Sequence, residues 1–222
     1  LNGFYSNYWT GTYADVSDKV HDWTHGNSLF LANEQSSYVM SVRNQNLVAQ
    51  FDRETGALQW ALGEEDSSST EDDSWPWLSV PSGTRLPNQQ HGCILTPEGS
   101  LMLYDNGNDL EVSYASEYQL DLSNMSAELV WSWSDPTQNP PLHSRNGGHA
   151  EPVPGNRVLL THSQILDEQS DTPGQSYTVL QLVRRENDET RKEWDLEIKN
   201  PIEINSTRVY RAHFLPSLYP AN

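Results

Sequence analysis

A unit of four short runs recurs three times along this chain, and no other feature limits its fold as strongly. In each copy a turn joins two apolar runs, a third alternating run follows, and a fourth run carries a tryptophan. Period-2 alternation with turn residues between the runs predicts antiparallel strands. Four-stranded repeats of this size are typical of β-propeller blades. The sequence therefore predicts an all-β chain with three consecutive four-stranded blades, over about 22–63, 89–133 and 149–198.

Three blades do not close a ring, because propellers contain about four to eight of them. We therefore expect residues 1–222 to form one propeller domain or a portion of one, with a closing strand over about 208–219. An open wedge would expose apolar sheet faces to water, which is unfavourable. The remaining blades are expected to come from a longer parent chain or from a second copy of this one.

The charge of the chain argues against two classes of partner. It carries 31 Asp and Glu against 13 Lys and Arg, which gives a formal net charge of −18. Sequence-independent binding to nucleic acid or to an anionic membrane requires a basic face. No apolar run is long enough to span a bilayer, so membrane insertion is not expected either. An acidic composition fits a salty or extracellular setting without choosing between them.

A histidine stands where the first run of each unit begins, at His25, His91 and His149. We expect the first run to be the innermost strand of its blade, next to the central channel. A single histidine at a strand start is more often a hydrogen-bonded structural residue than a catalyst. Three of them at equivalent positions favour a shared site, so the imidazoles are predicted to converge on one cavity.

Other conspicuous side chains receive structural interpretations. The tryptophans of the fourth runs, Trp60, Trp131 and Trp194, are expected to fill the wedge between neighbouring sheets. The lone cysteine, Cys93, excludes an intrachain disulfide and is expected to be buried and inert. The remaining histidines are interpreted as structural or surface residues: His21, His143, His162 and His213.

A metal site is the competing functional interpretation of converging histidines. No His-x-His spacing supports it, and the one His-x₃-His pair, His21 and His25, does not join two of the three equivalent positions. The sequence therefore leads us to expect neither a metal nor another cofactor.

Three stretches resemble the arylsulfate sulfotransferase family: DWTHGNS (22–28), QHGCILTPEGSLMLYDNG (90–107) and YRAHFLPSLY (210–219). The resemblance corresponds to the C-terminal half of that family. It implies part of a periplasmic or secreted six-bladed propeller. It also implies transfer of a sulfuryl group from an aryl sulfate to a phenol, through a sulfohistidine and without a nucleotide donor.

The resemblance also bears on individual residues. His25 and His91 match the motif histidines of the family, and His149 lies in the corresponding later blade, within GGHAEP. Members usually carry an arginine shortly after Asp-Asn-Gly, and again in a Ser-Arg pair. This chain has Asn-Asp-Leu at 108–110 and Ser-Tyr at 113–114 instead.

The chemistry indicates what such a site needs. Sulfuryl transfer is an in-line displacement at sulfur in which negative charge spreads over three oxygens. A neutral imidazole can act as the nucleophile, and a protonated one can supply a proton to the leaving phenolate. Asn27 and Asn106 are candidate donors to the sulfuryl oxygens. Arg43 and Arg145 are candidates for the missing arginine, although both also suit a surface position.

Two functions of different classes follow from these observations. The first is an enzyme that transfers sulfuryl groups between phenols. The second is a non-catalytic propeller that serves as an extracellular binding or assembly module. The retained histidines favour the first, and the arginine absent after Gly107 favours the second.

Overall fold

The computed structural model describes residue 22 and residues 24–64, 75–166, 175–186, 189–200 and 207–216. These residues form three four-stranded antiparallel sheets, and no α-helix occurs among them. The prediction of an all-β fold with three propeller blades is therefore confirmed. Within the same ranges, no helix has the length and apolar character needed to cross a bilayer. His21 lies outside the described residues.

Each blade follows the order of the chain. The first comprises β1 (Gly26–Ala32), β2 (Ser37–Val42), β3 (Leu47–Asp52) and β4 (Leu58–Leu62), with a 3₁₀ turn over Arg43–Gln45. The second comprises β5 (His91–Leu95), β6 (Ser100–Asp105), β7 (Tyr114–Asp121) and β8 (Ser126–Trp133). The third comprises β9 (His149–Val153), β10 (Arg157–Leu166), β11 (Ser176–Glu186) and β12 (Glu189–Ile198). Strand β5 contacts both β1 and β9, so the first strand of each blade is the inner one.

The central blade is buried on both faces, and β6 shows why. Successive side chains of a strand point to opposite faces of its sheet. Leu101 and Leu103 pack in the cluster shared with the first blade, whereas Met102 and Tyr104 pack in the cluster shared with the third. All four side chains are at most 1% exposed. The continuous apolar run of β6 is therefore the sequence signature of a strand between two neighbouring blades.

The tryptophans lie on the outer strands, as the repeat predicts, but only some are packed. Trp60 of β4 is 2% exposed. Trp131 of β8 donates a hydrogen bond from Nε1 to Oγ1 of Thr190 at 2.9 Å, across to the third blade. Trp194 of β12 is 43% exposed, so its expected packing between sheets is corrected. On that face of the third blade, Ala212 and Phe214 pack over Val153, Leu159 and Leu182 of the inner strands and leave Trp194 at the outer edge exposed.

Both end faces of the wedge expose apolar side chains. On β1, Phe30 packs toward the second blade, and Leu29 and Leu31 point the other way, at 63% and 46% exposure. On β12, Leu196 is 52% exposed, beside Trp194. These faces match the open wedge that three blades were expected to leave.

Residues 207–216, which we call the strap, cross the third blade and do not extend it. No strand forms in the strap, which corrects the closing strand expected over 208–219; residues 217–219 lie outside the described ranges. The reason is that N–H groups within the strap bond to side chains of successive strands. These bonds join Val209 to Thr178 of β11, Ala212 to Thr161 of β10, and Phe214 to Glu151 of β9. The first residue of the strap, Thr207, donates to the backbone carbonyl of Ser176, but no ladder of backbone hydrogen bonds follows among the described residues.

Candidate active site

His25 is held in a fixed orientation by a carboxylate. It precedes β1 with a φ of 47°, and its backbone N–H donates to Oδ1 of Asp22 at 3.0 Å. The other carboxylate oxygen of Asp22 contacts Nδ1 of His25. The His25 side chain is 38% exposed, and none of the described residues is a hydrogen-bond partner of its Nε2. A proton on Nδ1 facing Asp22 leaves a lone pair on Nε2, which can act as a nucleophile or a base.

His91 is buried, and both of its ring nitrogens are occupied. Nδ1 lies 2.7 Å from Oδ1 of Asn106, and Nε2 accepts a hydrogen bond from the backbone N–H of Gly147 at 3.1 Å. The Asn106 amide donates to the carbonyl oxygens of Ser144 and Gly147, so its Oδ1 must accept. This network fixes the proton of His91 on Nδ1.

His91 and His25 face each other at the inner edge of the first two blades. Their ring centroids are 6.4 Å apart, at an interplanar angle of 73°. Burial lowers the pKa of His91 to about 3; the charges of Arg43 and His25 act in the same direction, against the hydrogen bond that His91 donates to Asn106. His91 is therefore neutral at physiological pH. The structure brings these two predicted residues together, one partly exposed and one enclosed.

His149, the third predicted histidine, lies in different surroundings. It is 2% exposed at the start of β9, and neither ring nitrogen has a hydrogen-bond partner among the described residues. The backbone of Gly92 lies beside the ring without the alignment of a hydrogen bond; a Cβ there would be 2.5 Å from Nδ1. Burial lowers the pKa of His149 to about 4, followed by the charges of Arg211 and His213. No ring contact joins it to the first two histidines within the described residues.

The two predicted arginines lie in different environments. Arg43 is 7% exposed, and its guanidinium donates to Oδ1 of Asn44 at 2.8 Å and to Oε1 of Gln89 at 2.7 Å. Its Nε is buried and has no hydrogen-bond partner within the described ranges, and burial lowers the pKa of the guanidinium. The Arg145 side chain is exposed, and its carbonyl oxygen accepts from Arg43 at 3.3 Å. The structure thus places Arg43, but not the side chain of Arg145, beside His91.

The two predicted asparagines are engaged with the protein. Asn27 donates from Nδ2 to the carbonyl oxygen of Gln90 at 2.7 Å, and no residue that the structure describes bonds to its buried Oδ1. Asn106 donates to Ser144 and Gly147, at 2.6 and 2.9 Å. In this arrangement Asn106 positions His91 and the loop before β9.

The strap adds residues that the sequence did not assign to the site. The ring of Tyr210 lies edge-on to His91, with centroids 6.0 Å apart. Arg211 donates from Nη2 to the carbonyl oxygen of Asn27 at 3.3 Å, and it pairs with no carboxylate in the part of the chain described. The resemblance of residues 210–219 to the family is the one sequence signal that points to Tyr210 and Arg211. Its contact with a residue 184 positions earlier could not be inferred from the sequence.

The remaining candidates have local roles. His162 is buried and bonds through Nδ1 to the hydroxyl of Tyr104 at 2.7 Å. His143 is half-buried and bonds through Nε2 to Oδ1 of Asn108 at 2.7 Å. Cys93 is 2% exposed, and burial raises the pKa of its thiol to about 11, so it is not a nucleophile at neutral pH.

Comparison with known proteins gives one finding about the family. The model of a family described as Arylsulfotransferase (ASST) matches residues 7–211, which is more than half of the chain. The match includes the three predicted histidines and reaches into the strap as far as Arg211. A comparison with curated proteins found no match.

Proposed function

The chain belongs to the arylsulfotransferase family, and we propose that it moves a sulfuryl group from an aryl sulfate to a phenolic acceptor through a sulfohistidine. The family implies small aryl molecules as substrates. The observation that carries the proposal is the Asp22–His25 pair, in which a carboxylate holds Nδ1 and Nε2 has no hydrogen-bond partner among the described residues. We assign the nucleophile to His25 on this ground.

In the first half of the proposed reaction, the lone pair on Nε2 of His25 attacks sulfur. An N–S bond forms as the S–O bond to the aryl group breaks, and the phenolate leaves with the electron pair and takes a proton from water. The imidazole becomes cationic, and the carboxylate of Asp22 stabilises it through Nδ1–H. In the second half, the oxygen of the acceptor phenol attacks sulfur and loses its proton to water. The N–S bond breaks, and its electron pair returns to Nε2.

Arginine side chains are the candidates to stabilise charge on the sulfuryl oxygens. Arg43 has a buried Nε without a partner, and Arg211 pairs with no carboxylate among the described residues. We propose that Arg211 takes the role of the arginine that this chain lacks after Gly107. His91 acts as a positioning residue, because its two nitrogens already bond to Asn106 and to backbone. His149 takes no part in this step.

The alternative function is a non-catalytic propeller that binds or assembles outside the cell. One observation favours it: the hydrogen bonds of His91 and Asn106 are satisfied within the protein, as expected of residues that hold a loop in place. Under this alternative the three histidines hold neighbouring blades together and take no part in a reaction.

Localisation and completion of the ring belong to the same proposal. Family members are generally periplasmic or secreted, and we propose a periplasmic or extracellular location here. The exposed apolar faces of β1 and β12 are expected to be covered by further blades, from a longer chain or from a second copy.

The proposal is tested with 4-nitrophenyl sulfate as donor and phenol as acceptor, by following release of 4-nitrophenolate. We expect His25→Ala to reduce transfer to background, and His143→Ala, outside the site, to retain it. Mass spectrometry of the acid-sensitive intermediate should find one SO₃ group on His25 in the wild-type protein. A folded wild-type protein that transfers no sulfuryl group would favour the non-catalytic alternative.

A further inference from the structure

A second cluster of chemically reactive side chains lies where the strap meets the third blade. His149 and Glu151 belong to β9, and His213 belongs to the strap. One potential ligand atom from each lies within 4.8 Å of the other two. Nδ1 of His213 is 3.3 Å from Oε2 of Glu151, and the rings of His213 and His149 are 5.2 Å apart between centroids.

The unsatisfied ring of His149 is independent evidence that this cluster is a binding site. Buried polar atoms in proteins normally have hydrogen-bond partners, because leaving one unpaired is unfavourable. His149 is 2% exposed, yet both of its nitrogens lack a partner among the described residues. Its neutral imidazole is the form that coordinates metal ions. A ligand that accepts the lone pair of one nitrogen would remove this deficit.

We propose that His149, Glu151 and His213 bind a divalent cation of the zinc class. Two imidazoles and one carboxylate are a donor set that zinc uses when it keeps a coordination position open. Ligand atoms around tetrahedral zinc are separated by about 3.4 Å, and the Glu151–His213 pair already meets that separation. Rotation of His213, which is 57% exposed, can close the His149–His213 separation, and the His149–Glu151 separation is no more than 4.8 Å before an ion binds.

The surroundings contain one favourable and one opposing group. The backbone N–H of Phe214 donates to Oε2 of Glu151 at 3.1 Å, which orients the carboxylate as outer hydrogen bonds do in metal sites. Arg211 lies close enough to His149 to affect its charge state, and its guanidinium repels a cation. Arg211 therefore weakens binding, and its removal should tighten it.

The cation would connect two parts of the chain with different roles. His149 and Glu151 lie on an inner strand, whereas His213 lies three residues or fewer from Tyr210 and Arg211 on the strap. Occupancy would thus fix the strap, and with it the two side chains that the strap brings to the histidines. This coupling distinguishes the site from a surface ion pair between Glu151 and His213.

The test uses zinc chloride as the probe, with the full chain at neutral pH in isothermal titration calorimetry. We expect one zinc ion per chain, with affinity at least about tenfold weaker in Glu151→Gln and in His213→Ala. His213→Ala alters an exposed residue, so loss of folding does not confuse the result. His143→Ala is the matched control and should bind like the wild type. Arg211→Gln should bind more tightly.

Trypsin provides a second readout, since the strap contains Arg208 and Arg211. Zinc should slow cleavage of the strap in the wild-type protein and leave the rate in His213→Ala unchanged. Absence of binding to the wild-type protein, or binding to Glu151→Gln and His213→Ala that is as tight as to the wild type, would overturn the proposal. Neither measurement involves an aryl sulfate, so failure here is distinguishable from failure of the proposed transferase.

Discussion

Two single variants, His91→Ala and His25→Ala, distinguish a histidine that positions other groups from one that acts as the nucleophile. The two rings are 6.4 Å apart and belong to equivalent positions of the repeat. His91 is 1% exposed and makes two hydrogen bonds, whereas the His25 side chain is 38% exposed and contacts Asp22. We expect His91→Ala to act mainly on stability and His25→Ala mainly on activity.

The expected magnitudes follow from the groups that each change leaves behind. His91→Ala orphans Oδ1 of Asn106 and the N–H of Gly147, both of which are buried. A buried group without its partner costs about 1–3 kcal/mol, so the loss is about 2–6 kcal/mol before any cavity contributes. His25→Ala removes one contact with a partly exposed carboxylate, worth about 1 kcal/mol or less.

The assay is urea unfolding followed by tryptophan fluorescence, paired with transfer from 4-nitrophenyl sulfate. Asn106→Ala and the double variant His91→Ala/Asn106→Ala complete a thermodynamic cycle. Because the double variant removes both partners, its loss should be smaller than the sum of the two single losses.

A specific result would refute this reasoning. If His91→Ala unfolds at the same urea concentration as the wild type and only activity is lost, His91 is a chemical participant and not a positioning residue. If His25→Ala is the less stable of the two, the assignment of its Nε2 as an open nucleophile fails as well.

Further predictions concern pH, one glycine and molecular size. With a chelator present, the melting temperature should fall as pH drops from about 6.5 to about 4. The reason is that unfolded histidines gain protons there, while buried His91, His149 and His162, with pKa values of about 3, 4 and 4, do not. Each of these histidines lowers the free energy of unfolding by up to about 1.4 kcal/mol per pH unit. Asp105, whose pKa burial raises to about 6, offsets one of them. A melting temperature that does not change with pH would contradict this prediction. Gly92→Ala should lower stability by about 1–3 kcal/mol in thermal unfolding, because its φ is +56° and the new Cβ meets His149. Light scattering should find this chain associated, and a monodisperse 25.2 kDa species would show that the exposed faces need no cover.

The sequence predicts the blades because their information is local. A continuous apolar run such as β6 predicts a strand buried on both faces, and the turns between runs predict antiparallel order. The position of His25 and His91 at the start of inner strands follows from the same register. Their proximity could therefore be inferred before any coordinates.

The environment of each histidine could not be inferred, because it depends on residues that differ between the repeats or lie outside them. Asp22, Asn106 and the strap give three equivalent positions three different sets of neighbours. The strap has no period, and its contact with Asn27 spans 184 positions. A search for paired histidines at close spacing also overlooks a donor set that joins β9 to the strap.

The transverse path of the strap has a consequence for how such a chain can diversify. Duplication of a blade copies its four strands and its leading histidine, but it does not copy a single segment that lies across only one blade. Duplicated blades therefore begin with the same four strands and histidine, and their sites come to differ according to the segment that lies across each blade. A graft of residues 207–216 onto another blade would need hydroxyl and carboxylate side chains at the positions that Thr178, Thr161 and Glu151 hold here.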